Sequence, residues 1–165
     1  MSKSVLILQE NQSELDYAAT ELERAGYKVV TVPSLWVAVA WLRVNDPVLI
    51  VAPVHLVDDD VFDLLRFVRS DFHLKQTKIL LYCSMPSPFT SGMSRTISSA
   101  AKAMGASAVL IGENGKIFDR VLFWQTVSPL LPGPTAPRSF FGISEQADSA
   151  ADRFFAQEQT FPPSE

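Results

Sequence analysis

Five short runs of aliphatic and β-branched residues, at 5–8, 29–32, 48–52, 79–82 and 109–111, each lead into a stretch with helical spacing. This alternation is the feature that most restricts the fold. A strand, a helix and then another strand can return to the same sheet only as a parallel, right-handed crossover. The helical stretches fall at 11–25, 34–44, 59–69, 92–104 and 116–130. In the first, Leu15, Ala18, Ala19 and Leu22 share a face. In the third, Val61, Leu64, Leu65 and Val68 do. Gly26 and Gly105 stand where helices commonly close on a left-handed residue. Asp58, Asp59 and Asp60 precede the third helix, where acidic residues cap free N–H groups and face the positive end of the helix dipole. The expected architecture is an open, doubly wound α/β sheet over residues 1–131. Pro132-Gly133-Pro134 then opens a tail, 132–165, that carries one weakly amphipathic segment at 144–159.

Composition narrows the function. Apolar residues make up 47% of the 165 residues and charged residues 19%, enough to bury a real core. The net charge of -4 and the absence of a basic run argue against nucleic acid or an anionic membrane surface as a partner. The first apolar run, 5–8, is too short for a signal segment or a membrane span, and the single cysteine, Cys83, rules out an internal disulfide. The expectation is a cytoplasmic protein without membrane insertion. His55 and His73 have no second ligand at metal spacing, and neither a G-x-G-x-x-G nor a P-loop is present. No metal, cofactor or catalytic residue is therefore assigned.

The succession from VLILQEN through PVLIVAPVHLVDDDVFDLLRFVR to GASAVLIGENG resembles the receiver domain of bacterial response regulators, over about residues 4–131. The resemblance rests on the order and spacing of strands and helices. It implies a flavodoxin-like (βα)5 sheet with strand order 2-1-3-4-5 and a functional site at the carboxyl ends of the strands. In that family two acidic residues after the first strand and an aspartate ending the third bind magnesium, and that aspartate takes a phosphoryl group. A hydroxyl residue after the fourth strand and a lysine after the fifth steady the phosphate. Magnesium requires hard oxygen ligands, and an acyl phosphate requires a carboxylate. Carried onto this sequence, the acidic pair falls on Gln9 and Glu10 and the acceptor on Pro53. The hydroxyl position falls on Cys83 and the lysine on Gly112. The resemblance thus implies a degenerate pocket, a pseudo-receiver without phosphorylation chemistry and not an enzyme. Cys83, ending a buried strand, reads as a small core residue, and Glu10 as a solvated acid. The loop after Cys83 also runs longer than is usual in receivers, with Pro86 and Pro88 in it.

With chemistry absent, apolar residues on helix surfaces become informative. In the second helix Leu35, Ala38, Val39 and Leu42 form a core-facing stripe, leaving Trp36, Val37, Ala40 and Trp41 toward the other side. In the last helix Ile117, Val121 and Trp124 form the expected stripe, leaving Phe118, Leu122 and Phe123. A helix apolar around most of its circumference needs a cover. The tail supplies two aromatic pairs, Phe140-Phe141 and Phe154-Phe155, spaced like the anchors of a docking peptide, either to dock in cis or to recognise another protein. The expectation is a protein-binding adaptor of bacterial signalling or spatial organisation, its partner another protein or a second copy of the chain. Two alternatives stay open. One is a small-molecule sensor with Glu10, Asn11, Ser84 and Asn114 in a rebuilt pocket. The other is a structural subunit of a larger assembly.

Overall fold

Alternate side chains of a strand point to opposite faces, so a run such as Val5-Leu6-Ile7-Leu8 needs apolar cover on both. The computed structural model supplies it. It describes residues 3–10, 15–83, 90–111 and 120–133, with side chains left aside for 90–94. Among them β1 (Ser4–Leu8), β2 (Lys28–Val32), β3 (Leu49–Pro53), β4 (Lys78–Cys83) and β5 (Ala108–Ile111) form one sheet in the order β2-β1-β3-β4-β5. All its pairings are parallel. Between the strands run α1 (Asp16–Arg24), α2 (Leu35–Leu42), α3 (Val61–Ser70) and α4 (Thr90–Ala103). After β5 comes α5 (Arg120–Val127), extended by a 3-10 turn at Ser128–Leu130. This is the flavodoxin-like topology expected.

The two sheet faces build two cores. Leu6, Leu8, Ile50, Ala52, Ile79 and Leu81 face α2, α3 and α4. Val5, Ile7, Leu49, Val51, Leu80 and Tyr82 face α1 and α5. The predicted stripes of α1 and α3 are buried, apart from half-buried Ala19. Asp60 caps α3, its Oδ1 accepting the Phe62 N–H at 2.9 Å. At the foot of the sheet the Arg69 guanidinium donates to the Gly105 carbonyl from Nε (2.9 Å) and Nη2, and from Nη1 to Lys75 O and Thr77 O, both at 2.9 Å. Gly105 has φ 106°, and a Cβ there would lie 2.6 Å from Arg69 Nε, so both the backbone twist and the close approach require glycine.

Two details differ from expectation. Pro53 is the last residue of β3 rather than its terminator. The β1–β3 register ends at Val51, so the N–H that Pro53 lacks would point past the end of that pairing. On the other side Val54 N–H carries the β4 ladder onward, to Tyr82 O at 2.7 Å. The second difference is the phase of α5. Val121, expected in the core, is 47% exposed, whereas Phe123, expected on the surface, is fully buried with Trp124 and Val127. The physical reason is how each stripe continues. From Val121 and Trp124 the next position is Ser128, whereas Phe123, Trp124 and Val127 continue to Leu131, which is also buried. The Phe123 ring packs edge-on against Tyr17 at 6.0 Å and against Trp124 at 6.1 Å, joining α5 to α1.

Candidate functional site

Parallel strands in this order bring the ends of β1, β3 and β4 to one edge, and with them Gln9, Glu10, Pro53 and Cys83. Gly112 lies outside the described residues, as do Asn11, Ser84, Asn114 and the loop with Pro86 and Pro88. Gln9 is buried at 4% exposure. Its backbone N–H donates to Val32 O at 3.0 Å, and its Oε1 accepts the N–H of Leu15, one residue before α1, at 3.2 Å. The first turn of a helix leaves N–H groups without partners inside the helix, and here a buried side-chain amide provides one from the end of β1.

Glu10 is exposed, but it does more than sit in solvent. Both carboxylate oxygens accept the N–H of Val57, at 3.0 and 3.2 Å, across 47 residues of sequence. The contact ties the loop after β1 to the loop between β3 and α3. Nothing local in the sequence signals it, because Val57 has no side-chain polarity to pair with. Pro53 is buried at the strand end and brings neither a side-chain nucleophile nor an N–H to the edge. Cys83 is 7% exposed and packs into the α2–α4 core, matching its reading as a small core residue. Beside this edge a cavity of about 260 Å³ is lined by Val54, His55, Leu56, Asp60, Phe62 and Ile97.

The other candidate residues lie on helix surfaces. In α2, Leu35, Ala38 and Leu42 are buried, and Val39 is half-buried against the same core. Trp36 is 77% exposed, and Val37 and Ala40 are also exposed. Trp41 departs from the interface expectation: it is half-buried and packed on the core, because its position flanks the Ala38–Leu42 stripe. Ser34 starts the helix, its Oγ accepting the Val37 N–H at 3.4 Å. Along the outer side of α2 runs an apolar groove of about 550 Å³ between Leu35, Trp36, Val39 and Val44, with Arg43 and Asp59 also lining it. In α5, Leu122 is exposed as expected, and Phe123 is excluded from any surface by its burial. Phe118, Phe140, Phe141, Phe154 and Phe155 lie outside the described residues. No helix among those described is long and apolar enough to cross a membrane.

No protein-family model matches the sequence, and no curated protein matches it. Solved structures do. The chemotaxis response regulator CheY4 of Vibrio cholerae aligns at 23% identity over 79% of this chain and 100% of its own, with a TM-score of 0.63. The signal receiver domain of a LuxO repressor protein from Vibrio parahaemolyticus aligns at 15% identity over 79% of this chain and 90% of its own, TM-score 0.64. A response regulator from Thermotoga maritima aligns at 15% identity over 81% and 100%, TM-score 0.63. At these identities the likeness is one of fold: the described residues up to Leu131 adopt the fold of response-regulator receiver domains.

Proposed function

We propose that this chain is a pseudo-receiver: a phosphorylation-independent adaptor, not an enzyme, that binds a protein partner through its helix surfaces in bacterial signalling or spatial organisation. The observation that carries the reading is the state of the carboxyl edge. Where a receiver keeps a metal-binding acidic pair and an acceptor aspartate, this chain has Gln9, Glu10 and Pro53. The two polar side chains are engaged with backbone N–H groups of its own loops. One remaining carboxylate is a poor magnesium site, and proline cannot form an acyl phosphate. Glu10 and Val57 hold the loops after β1 and β3 together without a phosphoryl group.

The working surface is then the exposed α2 face. An exposed tryptophan flanked by Val37 and Ala40 suits the aromatic anchor of an interface, and covering it is worth about 1.5–3 kcal/mol. The net charge of -4 leaves nucleic acid and membrane as poor partners for it. A small-molecule role ranks second, since the cavity of about 260 Å³ beside the carboxyl edge is not lined by Glu10, the one described residue of that reading.

Two measurements test the reading together. Acetyl phosphate with Mg²⁺ leaves the intact mass unchanged; a stable aspartyl adduct overturns the phosphorylation-independent part. Affinity capture with the wild-type chain and with Trp36→Glu returns a partner lost only in the variant. A partner held equally by both moves the interface away from α2.

A further inference from the structure

The α2 groove is long, apolar and charged at both ends in a definite order. Its floor and walls are Leu35, Trp36, Val39 and Val44, spaced so that they follow one side of the helix for more than two turns. Asp59 lies in the loop between β3 and α3, at the carboxyl edge where α2 begins. Arg43 follows the last turn, at the opposite end. From Leu35 to Val44 the helix rise gives the groove a length of about 14 Å. Trp36 at 77% and Val44 at 82% are among the most exposed large apolar side chains described.

The chain itself carries a segment of matching chemistry. Asp152-Arg153-Phe154-Phe155-Ala156-Gln157-Glu158 places an aromatic pair between an arginine, itself preceded by Asp152, and a glutamate. Extended, it spans about 17 Å from Arg153 to Glu158. Laid along α2 it sets Arg153 toward Asp59 and Glu158 toward Arg43, with the phenylalanines over Trp36 and Val39. The other aromatic pair, Phe140-Phe141, has Arg138 before it but no acid until Glu145.

The start of the tail also permits the match. Leu131 is buried in the α1/α5 core, and the Tyr27 hydroxyl donates to Pro132 O at 3.0 Å, so the chain leaves the domain beside the start of β2. This is the edge strand that leads into α2. The roughly 20 residues from Gly133 to Arg153 reach up to about 70 Å when extended, ample to round that edge. Tethering raises the effective concentration of the segment at the groove far above that of a free peptide, so even a modest apolar contact is populated.

We infer that residues 153–158 dock in cis into the α2 groove, with Phe154 and Phe155 covering Trp36, so that the adaptor face is held closed by the chain's own tail until a partner displaces it. The inference rests on the α2 face being the interface proposed above. Hydroxyl-radical footprinting of the full-length chain reads it at Trp36. Trp36 is expected to be protected in the wild type and to react severalfold faster in Phe154→Ser/Phe155→Ser, unchanged on dilution. Phe140→Ser/Phe141→Ser is expected to keep the protection. Equal reactivity of Trp36 in wild type and Phe154→Ser/Phe155→Ser overturns the docking. Protection lost on dilution assigns the groove to a second copy, and protection lost in the Phe140/Phe141 variant assigns it to another segment; either overturns the proposal. The two readings fail separately. A partner captured through α2 while Trp36 is reactive throughout sinks only the cis docking. A Trp36 protected by the tail with no partner captured sinks only the adaptor reading.

Discussion

The helices α2 and α5 look alike in sequence and end differently in the fold. Each has eight residues, LWVAVAWL and RVLFWQTV, and each carries more apolar side chains than one core-facing stripe can absorb. In α5 the largest side chains go inward: Phe123 and Trp124 are buried, with the Phe123 ring edge-on to both Trp124 and Tyr17 of α1. What remains outside is Val121 and Leu122, two aliphatic residues about half exposed. In α2 the aliphatic Leu35, Ala38 and Leu42 go inward and a tryptophan is left out, 77% exposed. Apolar content alone therefore does not locate an interface. The phase of the helix on the sheet does, by deciding which surplus residue reaches solvent.

The contrast makes unequal demands on stability. Trp124→Ala empties a site in the α1/α5 core and should cost about 3–5 kcal/mol in chemical denaturation. A cost under about 1 kcal/mol would remove α5's claim to be the anchored helix of the pair. Gln9→Ala probes α1, against which α5 packs. It strips the Leu15 N–H of its side-chain acceptor and should cost about 1–3 kcal/mol, with faster hydrogen exchange at Leu15. Unchanged exchange there would mean that water replaces the amide and that this contact does not hold α1. Trp36→Glu sits at the bottom of the scale: it empties no core site and forfeits only the tail's cover less the cost of ordering the tail, a change in unfolding free energy of about 1 kcal/mol or less. A loss as large as that of Trp124→Ala would erase the distinction between the two helices.

Much of the architecture was legible because its causes are local. The stripes of α1 and α3 follow from a 3.6-residue period, Asp60 from the need for a cap, and Gly105 from the left-handed turn it makes. The occupants of the carboxyl edge were legible too, since strand ends are easy to place. Cys83 ends β4 as expected, and Pro53 stands at the end of β3, within the strand rather than just beyond it. The uses of the polar residues there were not. Glu10 gives no local sign that it holds a backbone N–H 47 residues away, and Arg69 none that it closes on the Gly105 carbonyl.

By itself the sequence determined the order of strands and helices, the buried face of most of them, and the residues that stand at the ends of the strands. Those depend on spacing within a few residues, which the chain carries wherever it goes. Only the tertiary structure decided the rest: Phe123 inside and Val121 outside, Trp41 against the core, Trp36 in solvent, and Glu10 on Val57. Each of these is a competition between positions whose outcome depends on a neighbour distant in sequence, such as Tyr17 beneath α5 or the edge strand beneath α2. A local pattern contains the competitors, but the assembled sheet and its neighbouring helices select the winner.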